Sequence, residues 1–266
     1  MPFTLAHAAA ALPFRRLRLV PSALIIGTFA PDFEYFIRLS PGGGFGHTFL
    51  GAFVFTLPLA LVVLWMFQKI VKGPAVLLMP IHLQRRLVPY LGKFNFLPPA
   101  RFALILLSLL LGIATHIAWD SCTHANRWPS RHWLYLHEMV RVPFLGSVPC
   151  YKLLQHGSSL IGMGVLAVWF VHWYLTTKPS HLPAAKSLSA MQKLAALAFG
   201  TVVASVGAFI RILPQALAET GHIPWKTLLG YAICTWIALA WWQLVGFGLL
   251  ASRRRSKQSN FATRVG

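Results

Sequence analysis

Phe102-Ala103-Leu104-Ile105-Leu106-Leu107-Ser108-Leu109-Leu110-Leu111-Gly112-Ile113-Ala114-Thr115-His116-Ile117-Ala118-Trp119 decides the fold. The stretch carries no formal charge and, apart from its last turns, almost no polar atom. A helix of about 20 mostly apolar residues crosses the hydrocarbon core of a bilayer. Four other stretches read the same way, over residues 49–67, 160–175, 194–213 and 228–250. The whole chain agrees with them. Of its 266 residues, 56% are hydrophobic and only 11% charged, 24 Lys and Arg against 5 Asp and Glu, for a net charge of +19. Soluble proteins run near 45–50% apolar and about 25% charged, so a disordered chain is excluded and an ordinary soluble domain is disfavoured. A nucleic-acid partner would account for the basic excess but not for the missing polar surface. The fold class expected is all-α, a polytopic transmembrane helix bundle with five firm spans.

Working outward, residues 19–37 are apolar but broken by Pro21, Pro31, Asp32 and Glu34, and the apolar opening at residues 3–14 is too short to cross. Together they predict a broken or re-entrant helix pair, which a membrane tolerates where protein covers the backbone. Residues 1–252 form one membrane-embedded domain, with the motif-bearing part over residues 1–164, and residues 253–266 form a basic tail. Lys and Arg collect in the tail (Arg253, Arg254, Arg255, Lys257, Arg264), between the first two spans (Lys69, Lys72, Arg85, Arg86, Lys93, Arg101) and before the fourth (Lys178, Lys186, Lys193). By the positive-inside rule these are cytoplasmic. The Arg15, Arg16, Arg18 cluster joins them if residues 19–37 reach across. Cys234 reads as a small core residue. Cys122 and Cys150 share one outer connection and could pair in an oxidising compartment or stay free thiols.

Ionisable groups in or beside a span are costly, so each is a candidate for function. Three of the five acids fall in two segments. Asp32 and Glu34 lie in Pro31-Asp32-Phe33-Glu34-Tyr35. Asp120 lies in His116-Ile117-Ala118-Trp119-Asp120-Ser121-Cys122-Thr123-His124. His116, Asp120 and His124 are spaced four apart, hence on one helical face. Histidine and carboxylate on one face make half a metal site. His47, in Gly46-His47-Thr48, opens the first span. That span leads in and the second leads back, so His47, His116, Asp120, His124, Asp32 and Glu34 meet at one membrane face by span counting alone. A helix-packing polar pair is the competing reading of His116 and Asp120. His132, His137, His172, His181 and His222 read as interfacial side chains, Arg211 as a snorkelling one, and Gly42 to Gly46 as a connector or an anion cradle. Glu138 and Glu219 read as ordinary loop acids. Ser130-Arg131 with His137 approaches a lipid-phosphatase pattern, but Arg141 stands where that pattern needs Asp.

Met1-Pro2-Phe3-Thr4-Leu5-Ala6-His7, Arg16-Leu17-Arg18, Pro31 to Tyr35, Gly46-His47-Thr48, Thr115-His116, Trp119-Asp120-Ser121, Thr123-His124 and Tyr151 to Ser159 together resemble an uncharacterised family of bacterial integral membrane proteins, a domain of unknown function. The first half is also similar, more distantly, to the membrane-bound metal-dependent hydrolases of bacterial inner membranes. That resemblance implies His7, Asp32, His47, His116 and Asp120 as metal ligands. Glu34 replaces the second Asp of those proteins, Tyr35 a His, and Gly46 a Thr. The resemblance also draws in His156.

Two functions follow as expectations. One is a membrane-embedded metal-dependent hydrolase acting on a phosphoester or related ester at the lipid interface. Its metal would be Zn²⁺ or Mn²⁺, with Glu34 as general base or bridging ligand and His124 and His156 as orienting groups or proton donors. The other is a non-catalytic metal-binding or structural membrane protein. Transport is disfavoured because the charges gather at one face and not at mid-bilayer. The partners expected are membrane lipid and a lipid-linked or small-molecule substrate, with no nucleic acid. The location expected is the bacterial inner membrane, with a cytoplasmic C-terminus and the site near the outer face.

Overall fold

The computed structural model describes residues 4–125, 127–128, 130–143, 146–180, 188–217 and 224–265, with side chains as far as Ser252. Residues Met1, Pro2 and Phe3 of the opening motif, His181, Lys186, Glu219, His222 and the side chains of the basic tail lie outside the described residues. The fold is all-α and polytopic. Five helices are long and apolar enough to cross a membrane. We label the helices α1 (Pro21–Phe29), α2 (Phe49–Leu78), α3 (Pro99–Thr123), α4 (Cys150–Thr176), α5 (Ala190–Leu217) and α6 (Trp225–Val265). All five expected spans are present. The first runs on past its expected end at residue 67, because the Lys69 and Lys72 amines donate to the carbonyls of Phe94 and Gly92 and so keep their charge in polar company.

The chain divides into two compact units. The first comprises Met1–Glu34, Gly43–Leu64 and Asn95–Thr176. In it Thr4–Arg16 winds as a 3₁₀ helix. α1 follows, opened by Pro21 at its first turn, where a missing N–H does no harm. Pro31 interrupts the chain beyond α1, and Ala30–Asp32 forms a tight 3₁₀ turn. The broken pair expected over the first 37 residues is therefore observed. α1 lies along α3 in the same direction. Val20 N–H donates to Ser108 Oγ at one end (3.0 Å), and His116 Nδ1 meets Thr28 O at the other (2.7 Å). Between these points the backbones nearly touch. A Cβ on Gly27 would strike the Leu109 carbonyl, and one on Gly112 would strike the Leu24 carbonyl and Gly27. Small residues allow such approaches between membrane helices. Ser108, Gly112 and His116 are each four apart, so one face of α3 sets the register of α1. The Thr4–Arg16 helix packs on α4, where Gly162 faces the Ala6 carbonyl.

Between α3 and α4 the chain forms a small antiparallel hairpin, β1 (Met139–Val142) with β2 (Gly146–Pro149), pairing Met139 with Pro149 and Val142 with Gly146. Four-residue strands leave too little alternation to be read in advance. Cys122, Cys150 and Cys234 are not joined in disulfides.

The second unit comprises Tyr35–Gly42, Trp65–Phe94 and Thr177–Gly266. α5 and α6 run antiparallel within it. Gln243 Nε2 donates to Gly200 O, Trp236 Nε1 to Ser205 Oγ, and Gly207 takes the Leu239 side chain.

Candidate metal centre

Four side chains from three separated stretches of the first unit meet at a point. Asp32 comes from the turn after α1, His47 from the 3₁₀ turn Phe45–His47 that leads into α2, and His116 and Asp120 from the last turns of α3. One ligand atom from each lies within 4.8 Å of all the others, and all four residues are buried. His47 Nε2 stands 3.3 Å from His116 Nε2, 3.4 Å from Asp32 Oδ1 and 3.5 Å from Asp120 Oδ2. His116 Nε2 stands 3.6 Å from Asp32 Oδ1 and 3.5 Å from Asp120 Oδ2.

These distances are long for N–H···O hydrogen bonds, which centre near 2.9–3.0 Å. They suit another geometry. A tetrahedron of N and O ligands about 2.1 Å from a central ion has edges of about 3.4 Å. The protonation pattern agrees. His116 Nδ1 faces the Thr28 carbonyl, which can only accept, so Nδ1 carries a proton and Nε2 is the ring nitrogen left for an ion. Nε2 faces a second imidazole nitrogen and two carboxylate oxygens. Among the described residues the ion-pair partners of Asp32 and Asp120 are histidines only. Two carboxylates taken out of water with no Lys or Arg beside them call for a cation. The four residues therefore fit a divalent metal.

Each carboxylate gives one oxygen to this point and the other to a neighbour. Asp32 Oδ2 accepts from Thr4 Oγ1 at 2.6 Å. Asp120 Oδ1 faces His7 Nε2 at 3.4 Å. His7 is buried and stacks on His116, with ring centroids 4.0 Å apart, and neither of its ring nitrogens makes a hydrogen bond. Burial, and His116 beside it, push His7 down to about 4. Burial works against a charged His47 as well, but the Asp120 and Asp32 carboxylates overcome it and hold that ring above its ordinary value.

Residues 1–252 match the family model described as Domain of unknown function (DUF4184). The chain belongs to this family. No curated protein and no solved structure matches it.

In this DUF4184 chain the remaining candidates take distinct places. Glu34 was expected as a base or a bridging ligand. Its Oε2 accepts from Gly46 N–H at 3.0 Å, and its carboxylate lies so close over Gly43 that a Cβ there would strike it. Thr56 Oγ1 donates to the Gly46 carbonyl at 3.0 Å. Glu34 and Thr56 thus grip both sides of the residue before His47 and aim that histidine. Gly46 is small for a reason, since a Cβ would sit 2.9 Å from the Pro31 carbonyl. His124 follows α3, with Nδ1 on the Asp120 carbonyl at 3.1 Å and 3.8 Å from Asp120 Oδ1. Its Nε2 meets Gln155 Nε2 at 3.2 Å. His156 is exposed on α4, and its neighbour Gln155 is the residue that reaches His124. Trp119 Nε1 donates to Ser158 Oγ and ties α3 to α4 on the same side. Thr4, the Thr28 carbonyl, Thr56 and Gln155 escaped the sequence reading. Thr4 and Gln155 stand inside motifs that carried the family resemblance, and that was the available signal.

Proposed function

We propose that this chain is a membrane-embedded divalent-metal protein with a hydrolytic centre acting on a phosphoester or related ester at the lipid interface. The observation that carries it is the buried meeting of Asp32, His47, His116 and Asp120, one ligand atom from each within 4.8 Å of the others. Mixed nitrogen and carboxylate donors suit Zn²⁺ or Mn²⁺. An ion held there supplies Lewis acidity, making water a nucleophile at neutral pH and stabilising charge on an attacked oxygen. The chain's own residues supply the rest. The Thr28 carbonyl fixes the His116 tautomer, Thr4 orients Asp32, and Glu34 and Thr56 aim His47. Loss of such a supporting contact typically costs about 10–100-fold in metal affinity or activity. His7 favours chemistry over a purely structural ion. It is a buried, neutral imidazole with no hydrogen bond, beside an unbonded oxygen of Asp120, and it can take or give a proton at Nε2. The location that fits is the bacterial inner membrane, with a cytoplasmic C-terminus and this site toward the outer face.

One observation favours the second reading, a non-catalytic metal protein. Four protein side chains offer ligand atoms, as many as a four-coordinate ion takes, and structural sites are closed whereas catalytic ones keep a position open. Turnover decides between them. Metal-loaded protein in vesicles is offered a soluble aryl phosphoester and a lipid-borne one. Hydrolysis by wild type, lost in His7→Ala while metal is retained, supports the hydrolase. A fully loaded protein that turns over neither leaves the structural reading in place.

A further inference from the structure

A groove of about 810 Å³ runs between the Thr4–Arg16 helix and α4. It lies apart from the metal centre, which His7 approaches from an earlier turn of the same 3₁₀ helix. Its walls are apolar, with Leu12 on one side and Ile161, Val165 and Val168 on the other. Gly164 opens it further, because a Cβ there would meet nothing within 4 Å. At one end stand Arg15, Arg16 and His172, all exposed. Neither arginine has an ion pair or a side-chain hydrogen bond among the described residues. The chain has only five acids to set against 24 Lys and Arg, and Asp32, Glu34 and Asp120 are engaged elsewhere. Among the described residues no carboxylate stands beside Arg15 or Arg16, so both guanidinium groups are open to an anion from outside.

We propose that this groove holds an anionic phospholipid, with one acyl chain along Ile161, Val165 and Val168 and its phosphate on Arg15 and Arg16. The volume falls within the range of ligand pockets. Guanidinium groups match phosphate oxygens in geometry as well as charge. A basic cluster at the membrane surface attracts the anionic lipids of the cytoplasmic leaflet, the side these arginines take if residues 19–37 reach across.

The test uses delipidated full-length protein in neutral detergent, titrated with phosphatidylglycerol, phosphatidylcholine or glycerol phosphate and read by native mass spectrometry. Wild type is expected to retain phosphatidylglycerol roughly tenfold over phosphatidylcholine. The Arg15→Gln plus Arg16→Gln variant is expected to bring that ratio near one. Gly164→Leu is expected to weaken retention of phosphatidylglycerol at an unchanged unfolding temperature, since its side chain enters open space. Equal retention of the two lipids by wild type overturns the proposal, as does a preference that survives both Arg changes. Displacement of the lipid by glycerol phosphate at equal concentration would show that the acyl groove contributes nothing, and overturns it too.

Discussion

The two compact units bury polar side chains in opposite ways. In the second, Gln84 is buried and its amide donates to the Leu77 and Met79 carbonyls, while Thr235 donates to the Tyr231 carbonyl. Both of these buried side chains are settled by backbone carbonyls a few residues away along the chain. In the first unit Asp32, His47, His116 and Asp120 face one another, and backbone and hydroxyl partners from distant stretches serve to hold them in place. Burial of polarity alone is therefore a poor guide to function in a membrane protein. Convergence of side chains on a common point is a better one.

The largest expected effect comes from breaking what brings the first unit's polar groups together. Gly112→Leu drives a side chain into the Leu24 carbonyl and Gly27. Size-exclusion chromatography should show loss of folded protein, whereas Gly164→Leu, facing open space, elutes as wild type. Glu34→Ala is milder. It orphans the buried Gly46 N–H, which costs about 1–3 kcal/mol, and frees the loop that aims His47. Metal affinity by competition titration should fall about 10–100-fold, while unchanged affinity would strip Glu34 of its positioning role. Acidity gives a graded test of the same point. His47 is held above its ordinary value in the metal-free protein, so a metal must displace its proton. Apparent affinity should rise with pH across that range, with proton release on binding, and a flat profile would mean that His47 is not a ligand. The smallest effect on metal belongs to the second unit. Gln84→Ala should lower the unfolding temperature and leave metal affinity as it was, and a joint loss would erase the contrast between the units.

Much of the candidate site was legible because the background is so apolar. With five acids in 266 residues, Asp32 and Asp120 stand out, the four-residue spacing of His116 and Asp120 gives one face, and counting spans brings His47 to the same end. What stayed hidden depends on atoms that a residue pattern does not encode. Glu34 reads as a base or bridging ligand because it is an acid beside Asp32, and the pattern gives no sign that its carboxylate accepts from the Gly46 N–H. His156 and Gln155 differ by one position, about 100° around a helix, and only the packing of α4 decides which of them faces His124. The Thr28 carbonyl that fixes the His116 tautomer is backbone, and no side-chain motif announces it. The parallel run of α1 along α3 rests on Gly27, Gly112 and Ser108, each of which reads as an unremarkable member of an apolar helix.

The central claim is that four side-chain atoms from Asp32, His47, His116 and Asp120 hold one divalent ion. Elemental analysis of detergent-purified wild type beside His116→Ala plus Asp120→Ala, with both shown to be helical by circular dichroism, tests it most directly. The account predicts about one equivalent of divalent metal per chain in wild type and next to none in the variant. Equal metal in the two proteins, or none in a wild type purified with Zn²⁺ and Mn²⁺ supplied, would contradict it.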